Sequence, residues 1–151
     1  MKEEFVTYEQ ALALKELEFN EPCIYAWCVT PKHRIKYDGE VYLKTDGNPF
    51  GEFYNGKDFN SLSNAKTNKI LCSAPLKQQV FRWFREKYKI FCYPDPTGSW
   101  RYSCKYRLED KQSKHWVGYM KDKDGNILNT YEEAESACID KLIELAKQQK
   151  L

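Results

Sequence analysis

Two helix-start signals lie near opposite ends of the chain, with one further helical pattern and several strand-like runs between them. Thr7-Tyr8-Glu9-Gln10 and Thr130-Tyr131-Glu132-Glu133 are both capping boxes. In each, the threonine hydroxyl accepts from the backbone N–H three residues on, and the Gln or Glu side chain reaches back to the threonine N–H. After the first, Ala11, Leu12, Lys15 and Phe19 continue at helical spacing toward Asn20-Glu21-Pro22, where proline cannot propagate a helix. After the second, Ala134, Cys138, Leu142 and Leu145 predict the inward stripe of a helix running to about Gln148. The residues beyond each box differ, so the likeness is a reused start signal and not a repeat.

A third helix is predicted over 74–88, with Ser73 as its cap and Pro75 in the first turn. Its stripe is Leu76, Val80, Phe84 and Tyr88, flanked by Phe81 and Trp83. Residues 23–29 and 40–45 read as one strand pair. Residues 89–94, 99–107 and 115–120 read as a three-strand run, broken by Pro94-Asp95-Pro96-Thr97-Gly98 and by a charged turn near Asp110. The order α-β-β-loop-α-β-β-β-α predicts an α+β fold, with three helices on one antiparallel sheet or two small ones. At 151 residues it is expected to form a single domain, 1–151, with a long loop at about 46–71. That loop is rich in Gly and Asn yet carries Phe50, Phe53, Tyr54 and Phe59, which either pin it to the core or, with Trp83, form a protein-binding surface.

Hydrophobic residues make up 42% and aromatics 15%, enough for a core and incompatible with wholesale disorder. The apolar run 23–29 is far shorter than the roughly 20 residues of a membrane span. Met1-Lys2-Glu3-Glu4-Phe5 places acid where a signal peptide needs base. The expectation is a cytoplasmic protein with no membrane partner. In that reducing compartment the six cysteines should be free thiols, and four of them lie in apolar, strand-like runs where cysteine acts as a small buried hydrophobe. With no Cys-x-x-Cys and only His33 and His115 as histidines, no metal or cofactor is expected.

The net charge of +2 hides a cancellation. Residues 1–22 hold 2 Lys+Arg against 6 Asp+Glu, and residues 124–151 hold 3 against 6, whereas residues 76–123 hold 12 against 5. A basic middle between acidic ends suggests a polyanion-facing surface. Strand alternation says where: Trp100, Tyr102, Cys104 and Tyr106 point to one face, Arg101, Ser103, Lys105 and Arg107 to the other. Neighbouring strands add Lys89, and His115 or Tyr119, to the second face. A basic sheet face can contact phosphates or enter a major groove, although Lys and Arg are also ordinary on the solvated side of an antiparallel sheet.

The stretch from Gly98-Ser99-Trp100-Arg101-Tyr102 through Trp116-Val117-Gly118-Tyr119 to Thr130-Tyr131-Glu132-Glu133-Ala134 resembles a known family. It is similar to the three-stranded sheet and helix of plant ethylene-response-factor DNA-binding domains and phage integrase arm-binding domains. The likeness covers about a third of the chain and implies that Arg101, Lys105 and Arg107 face DNA in a major groove. The order α-β-β-β-α from residue 74 also resembles double-stranded RNA-binding domains, but the last helix begins Glu-Glu where those carry lysines. Phe5-Val6-Thr7-Tyr8-Glu9-Gln10-Ala11-Leu12, Phe81-Arg82-Trp83-Phe84-Arg85-Glu86-Lys87-Tyr88 and Tyr131-Glu132-Glu133-Ala134-Glu135 look like small proteins of phages and prophages of gut Bacteroidetes. That resemblance implies an accessory role inside a bacterial host, with a host protein as the alternative partner.

Asp122-Lys123-Asp124-Gly125-Asn126 and Glu133 match positions 1, 3, 5 and 12 of a calcium loop, but the sixth position is Ile127 where glycine is needed, so a hairpin turn is the plainer expectation. No Gly-x-Ser-x-Gly, phosphate-cradling loop or His-Glu-x-x-His occurs. A cysteine nucleophile paired with His115 would have to be assembled in space, and no spacing announces it. The chain is expected to act by binding nucleic acid rather than by turnover, the alternatives being a host-factor inhibitor or a protein that sequesters a small nucleotide.

Overall fold

The computed structural model describes residues 2–29, 41–44, 70–97, 101–108 and 117–149. Among these the α-helices are α1 (Tyr8–Glu16), α2 (Lys77–Tyr88) and α3 (Tyr131–Gln149). The strands are β1 (Tyr25–Val29), β2 (Val41–Lys44), β3 (Ile70–Ala74), β4 (Ile90–Thr97), β5 (Arg101–Leu108) and β6 (Val117–Tyr119). They form two antiparallel three-stranded sheets, β2-β1-β3 and β4-β5-β6, so the fold is α+β. The chain divides into two compact units, Met1–Leu76 and Lys77–Leu151.

In the first unit α1 opens on the expected capping box: Gln10 N donates to Thr7 Oγ1 at 3.3 Å and Thr7 N to Gln10 Oε1 at 3.1 Å. The helix closes earlier than Pro22 requires. Glu18 takes φ 64°, Glu18 N donates to Lys15 O, and Phe19 N reaches back to Leu14 O. This pairing of a five-to-two and a six-to-one bond is a Schellman motif. Leu14 and Phe19, its apolar ends, are both fully buried. Lys15 Nζ donates to Leu71 O at 3.0 Å and ties α1 to β3. The segment before α1 is held as well, through a bridge between Phe5 and Leu76 and an edge-on contact between the Phe5 and Tyr25 rings.

Strand β3 departs from the sequence expectation, which began the second helix at Ala74. Tyr25 pairs with Ala74 and Ala26 with Ser73, so Ser73 lies fully buried in a strand and caps no helix. Proline disfavours the helical region at the residue before it, which keeps Ala74 extended ahead of Pro75.

In the second unit α2 buries Val80, Phe81, Trp83 and Phe84. Removing a side chain of this size from water contributes about 1.5–3 kcal/mol. Strands β4 and β5 pair over their whole length, from Ile90↔Leu108 to Thr97↔Arg101. The sequence suggests a turn from Pro94, yet the strand continues through Pro94 and Pro96; β4 is an edge strand, where the missing proline N–H need not break a ladder. Helix α3 opens on the second capping box, Glu133 N donating to Thr130 Oγ1 and Thr130 N to Glu133 Oε2. Its inward stripe of Ala134, Cys138, Leu142 and Leu145 is buried as expected.

Candidate functional site

The β4–β5 register settles which residues share a face. Phe91, Tyr93, Asp95 and Thr97 stand opposite Arg107, Lys105, Ser103 and Arg101. Residues directly opposite in an antiparallel ladder project to the same side, so these odd-numbered positions form one face. The even-numbered face belongs to α3: Cys138 meets Cys92 and Cys104, Lys141 Nζ lies over the Tyr106 ring at 5.4 Å, and the Tyr102 and Tyr131 rings meet edge-on at 6.1 Å. The odd-numbered face is therefore turned away from α3. The division of Tyr102, Cys104 and Tyr106 from Arg101, Ser103, Lys105 and Arg107 follows the alternation seen in the sequence.

The basic row is less uniform than alternation suggested. Arg101 is exposed. Ser103 is only 6% exposed, and its hydroxyl donates to Asp95 O. Lys105 Nζ lies 2.6 Å from Asp95 Oδ2, a hydrogen bond that raises the lysine above its usual pKa while the slight desolvation pulls the other way. The Arg107 guanidinium lies over the Phe91 ring, 5.2 Å from its centroid. Tyr93, register partner of Lys105, is 39% exposed. This face thus combines three cations, one carboxylate and two aromatic rings.

The other expected members fall elsewhere. Lys89 is exposed but lies outside the strand, as the positive-φ residue (57°) that joins α2 to β4. The register places Tyr119 beside Cys104, a core-face residue, and gives the place beside Lys105 to Gly118. A Cβ at Gly118 would stand 3.4 Å from Lys105 Cγ, in ordinary van der Waals contact with the lysine stem. Trp83, expected to be exposed for protein contact, is 4% exposed and packs edge-on against Phe84 and Tyr88; it belongs to the buried face of α2. His115, Phe50, Phe53, Tyr54 and Phe59 lie outside the described residues.

Sequence reasoning misses Asp95, Phe91 and Tyr93 as members of this face. A strand ending at residue 94 leaves Asp95 out altogether. The odd-number parity of the three is visible, but assigning it to the basic face needs the register, and a one-residue slip would move every side chain across.

At the Arg101 end a groove of about 680 Å³ is lined by residues including Thr97, Arg101, Tyr102, Thr130 and Tyr131. The acidic loop nearby is a hairpin. Lys121 bridges Ile127, and Gly125 takes φ 85°. Asp122 Oδ1 accepts from Asp124 N and Asn126 N, and Oδ2 from Asn126 Nδ2. Glu133 is engaged separately in the α3 cap, so the two carboxylates at the ends of the calcium-like spacing serve different local motifs.

None of the six cysteines is in a disulfide, and all are buried. Burial pushes the Cys72 thiol up to about 12. The hydrogen bond with Cys104 raises Cys92, with burial adding to it and the Cys138 bond opposing, while hydrogen bonds with Cys104 and Cys92 and then burial raise Cys138. Thiols held protonated in this way are poor nucleophiles.

No family model matches the chain, and neither the curated proteins nor the solved structures contain a match to it.

Proposed function

We propose that the odd-numbered face of the β4-β5-β6 sheet binds nucleic acid, without turnover. The observation that carries this reading is the placement of Arg101, Lys105 and Arg107 on one sheet face turned away from α3, with the half-exposed Tyr93 ring beside Lys105. The cations would meet phosphates, and the ring offers a flat surface on which an unpaired base can stack, a combination suited to single strands. The resemblance to phage proteins adds a setting, an accessory protein acting inside a bacterial host. The test is a gel-shift series with mixed-sequence single-stranded and duplex DNA and RNA at low salt. The expected result is a shift that weakens steeply with salt and is lost in the triple variant Arg101→Ala, Lys105→Ala, Arg107→Ala. No shift at low salt, or a triple variant that binds as the parent does, overturns the reading.

A second reading rests on the groove at the Arg101 end. Its volume lies in the range of small-molecule sites, and Arg101 with the Tyr102 and Tyr131 rings suits the phosphate and base of a small nucleotide. A thermal-shift screen with mononucleotides and cyclic dinucleotides tests it, since a ligand that binds only the folded chain raises the melting temperature.

A further inference from the structure

Three cysteines far apart in sequence meet in the core of the second unit. Cys92 comes from β4, Cys104 from β5 and Cys138 from α3, and their Sγ atoms all lie within 4.8 Å of one another. The Cys92 and Cys104 sulfurs are 3.2 Å apart. Cys104 and Cys138 are fully buried and Cys92 is 9% exposed.

We propose that Cys92, Cys104 and Cys138 form a three-sulfur site for a soft d10 metal cation of the Cu(I) or Zn(II) class. The geometry comes first. An ion that displaces the three thiol protons to solvent and sits about 2.3 Å from each thiolate in one plane sets the sulfurs about 4 Å apart. The separations here, from 3.2 Å to at most 4.8 Å, bracket that value, so side-chain adjustment is enough to seat an ion. The donor type comes second. A group of three sulfurs, with no carboxylate in it among the described residues, selects thiophilic cations over Mg²⁺ and Ca²⁺. Position comes third, because ligands drawn from two strands and a helix let one ion fasten α3 to the sheet. The slight exposure of Cys92 places the entry on its side. Packing as small hydrophobes explains single buried cysteines such as Cys23. It gives no reason for three sulfurs to converge, which among the described residues happens here and at no other group of His, Cys, Asp or Glu. This site is independent of nucleic-acid binding.

The experiment uses the full chain, reduced and anaerobic. Zn(II), Cd(II) as its spectroscopic stand-in, and Cu(I) delivered from a competing chelator are titrated separately. The expected result is one equivalent bound per chain, with ultraviolet sulfur-to-metal charge-transfer absorption and a raised melting temperature for Cu(I), for Zn(II) or for both; the arm that responds identifies the cation. Cys104→Ser and Cys138→Ser should each weaken binding by more than about 100-fold, beyond the 10–100-fold typical of losing an outer-shell partner. Cys23→Ser and Cys72→Ser, also at buried positions, should leave it unchanged. X-ray absorption on the loaded parent protein does not depend on any variant folding, and should find three sulfur neighbours at about 2.3 Å. Failure of both cations to bind, fewer than three sulfurs around the ion, or equal loss in Cys72→Ser overturns the proposal.

Discussion

Lys105 Nζ lies 2.6 Å from Asp95 Oδ2, on the sheet face whose alternation suggests a basic row. The contact is diagonal, because the register partner of Lys105 is Tyr93 and that of Asp95 is Ser103. The carboxylate competes with any phosphate for this lysine. If the face binds nucleic acid, Asp95→Asn should tighten binding and increase the steepness of its salt dependence by about one counterion, while Arg101→Ala should do the reverse. Anisotropy titrations of a labelled single strand over a salt series would show both slopes. Weaker binding by Asp95→Asn would remove the sheet face as the contact surface.

A second ion pair is structural. Lys77 Nζ lies 3.2 Å from Glu135 Oε2, with both side chains less than a tenth exposed, and Gln78 Nε2 donates to Glu135 Oε1. Removing one partner strands the other charge in the contact between α2 and α3. Glu135→Ala should therefore destabilise the protein by about 3–5 kcal/mol. The double variant Lys77→Met, Glu135→Leu should recover most of that loss, since apolar groups can replace a buried pair at little net cost. Urea denaturation of the parent, single and double variants measures both.

Among the described residues, two exposed ones other than glycine take positive φ, Glu18 at the end of α1 and Lys89 at the end of α2. The left-handed region costs an L-residue about 1–2 kcal/mol, and glycine recovers part of this while losing some through its freer unfolded chain. Lys89→Gly and Glu18→Gly should each stabilise by about 0.5–1 kcal/mol. Lys89→Val, with a β-branched side chain at that φ, should destabilise. Melting temperatures of the three variants decide the matter.

Acid should act through Asp122. Hydrogen bonds from the Asn126 side chain first, then from the Asn126, Asp124 and Gly125 backbone, hold its carboxyl below the usual range. A depressed folded pKa means the contribution to stability is fully present above the unfolded value of about 3.9 and is lost as pH falls through the folded value. The gap in melting temperature between the parent and Asp122→Ala should be constant from pH 7 to about 5 and narrow below pH 4. A gap that stays constant to pH 2 would show that the carboxylate form contributes nothing.

How much of this was legible varies by element. The capping boxes at Thr7 and Thr130 named both helix starts because their bonds run between residues three apart. The closing of α1 at Glu18 was not legible, since a Schellman motif usually announces itself by glycine and this one has none. Strand β3 stayed hidden because Ile70-Leu71-Cys72-Ser73-Ala74 is a short apolar run whose partner, β1, is over forty residues away in sequence. The same holds for Asp95, whose place on the basic face exists only through its register with Ser103.

By itself, then, the sequence determined what depends on near neighbours: the α+β order, the caps of α1 and α3, and the division of Tyr102, Cys104 and Tyr106 from Arg101, Lys105 and Arg107. The tertiary structure alone decided what depends on distant segments meeting. It neutralised Lys105 with Asp95, buried Trp83 and the Lys77–Glu135 pair, and gathered Cys92, Cys104 and Cys138 around one point. The physical reason is that periodicity and capping are written within one or two turns of chain, whereas register and the docking of α3 are set by packing among residues that no local pattern links.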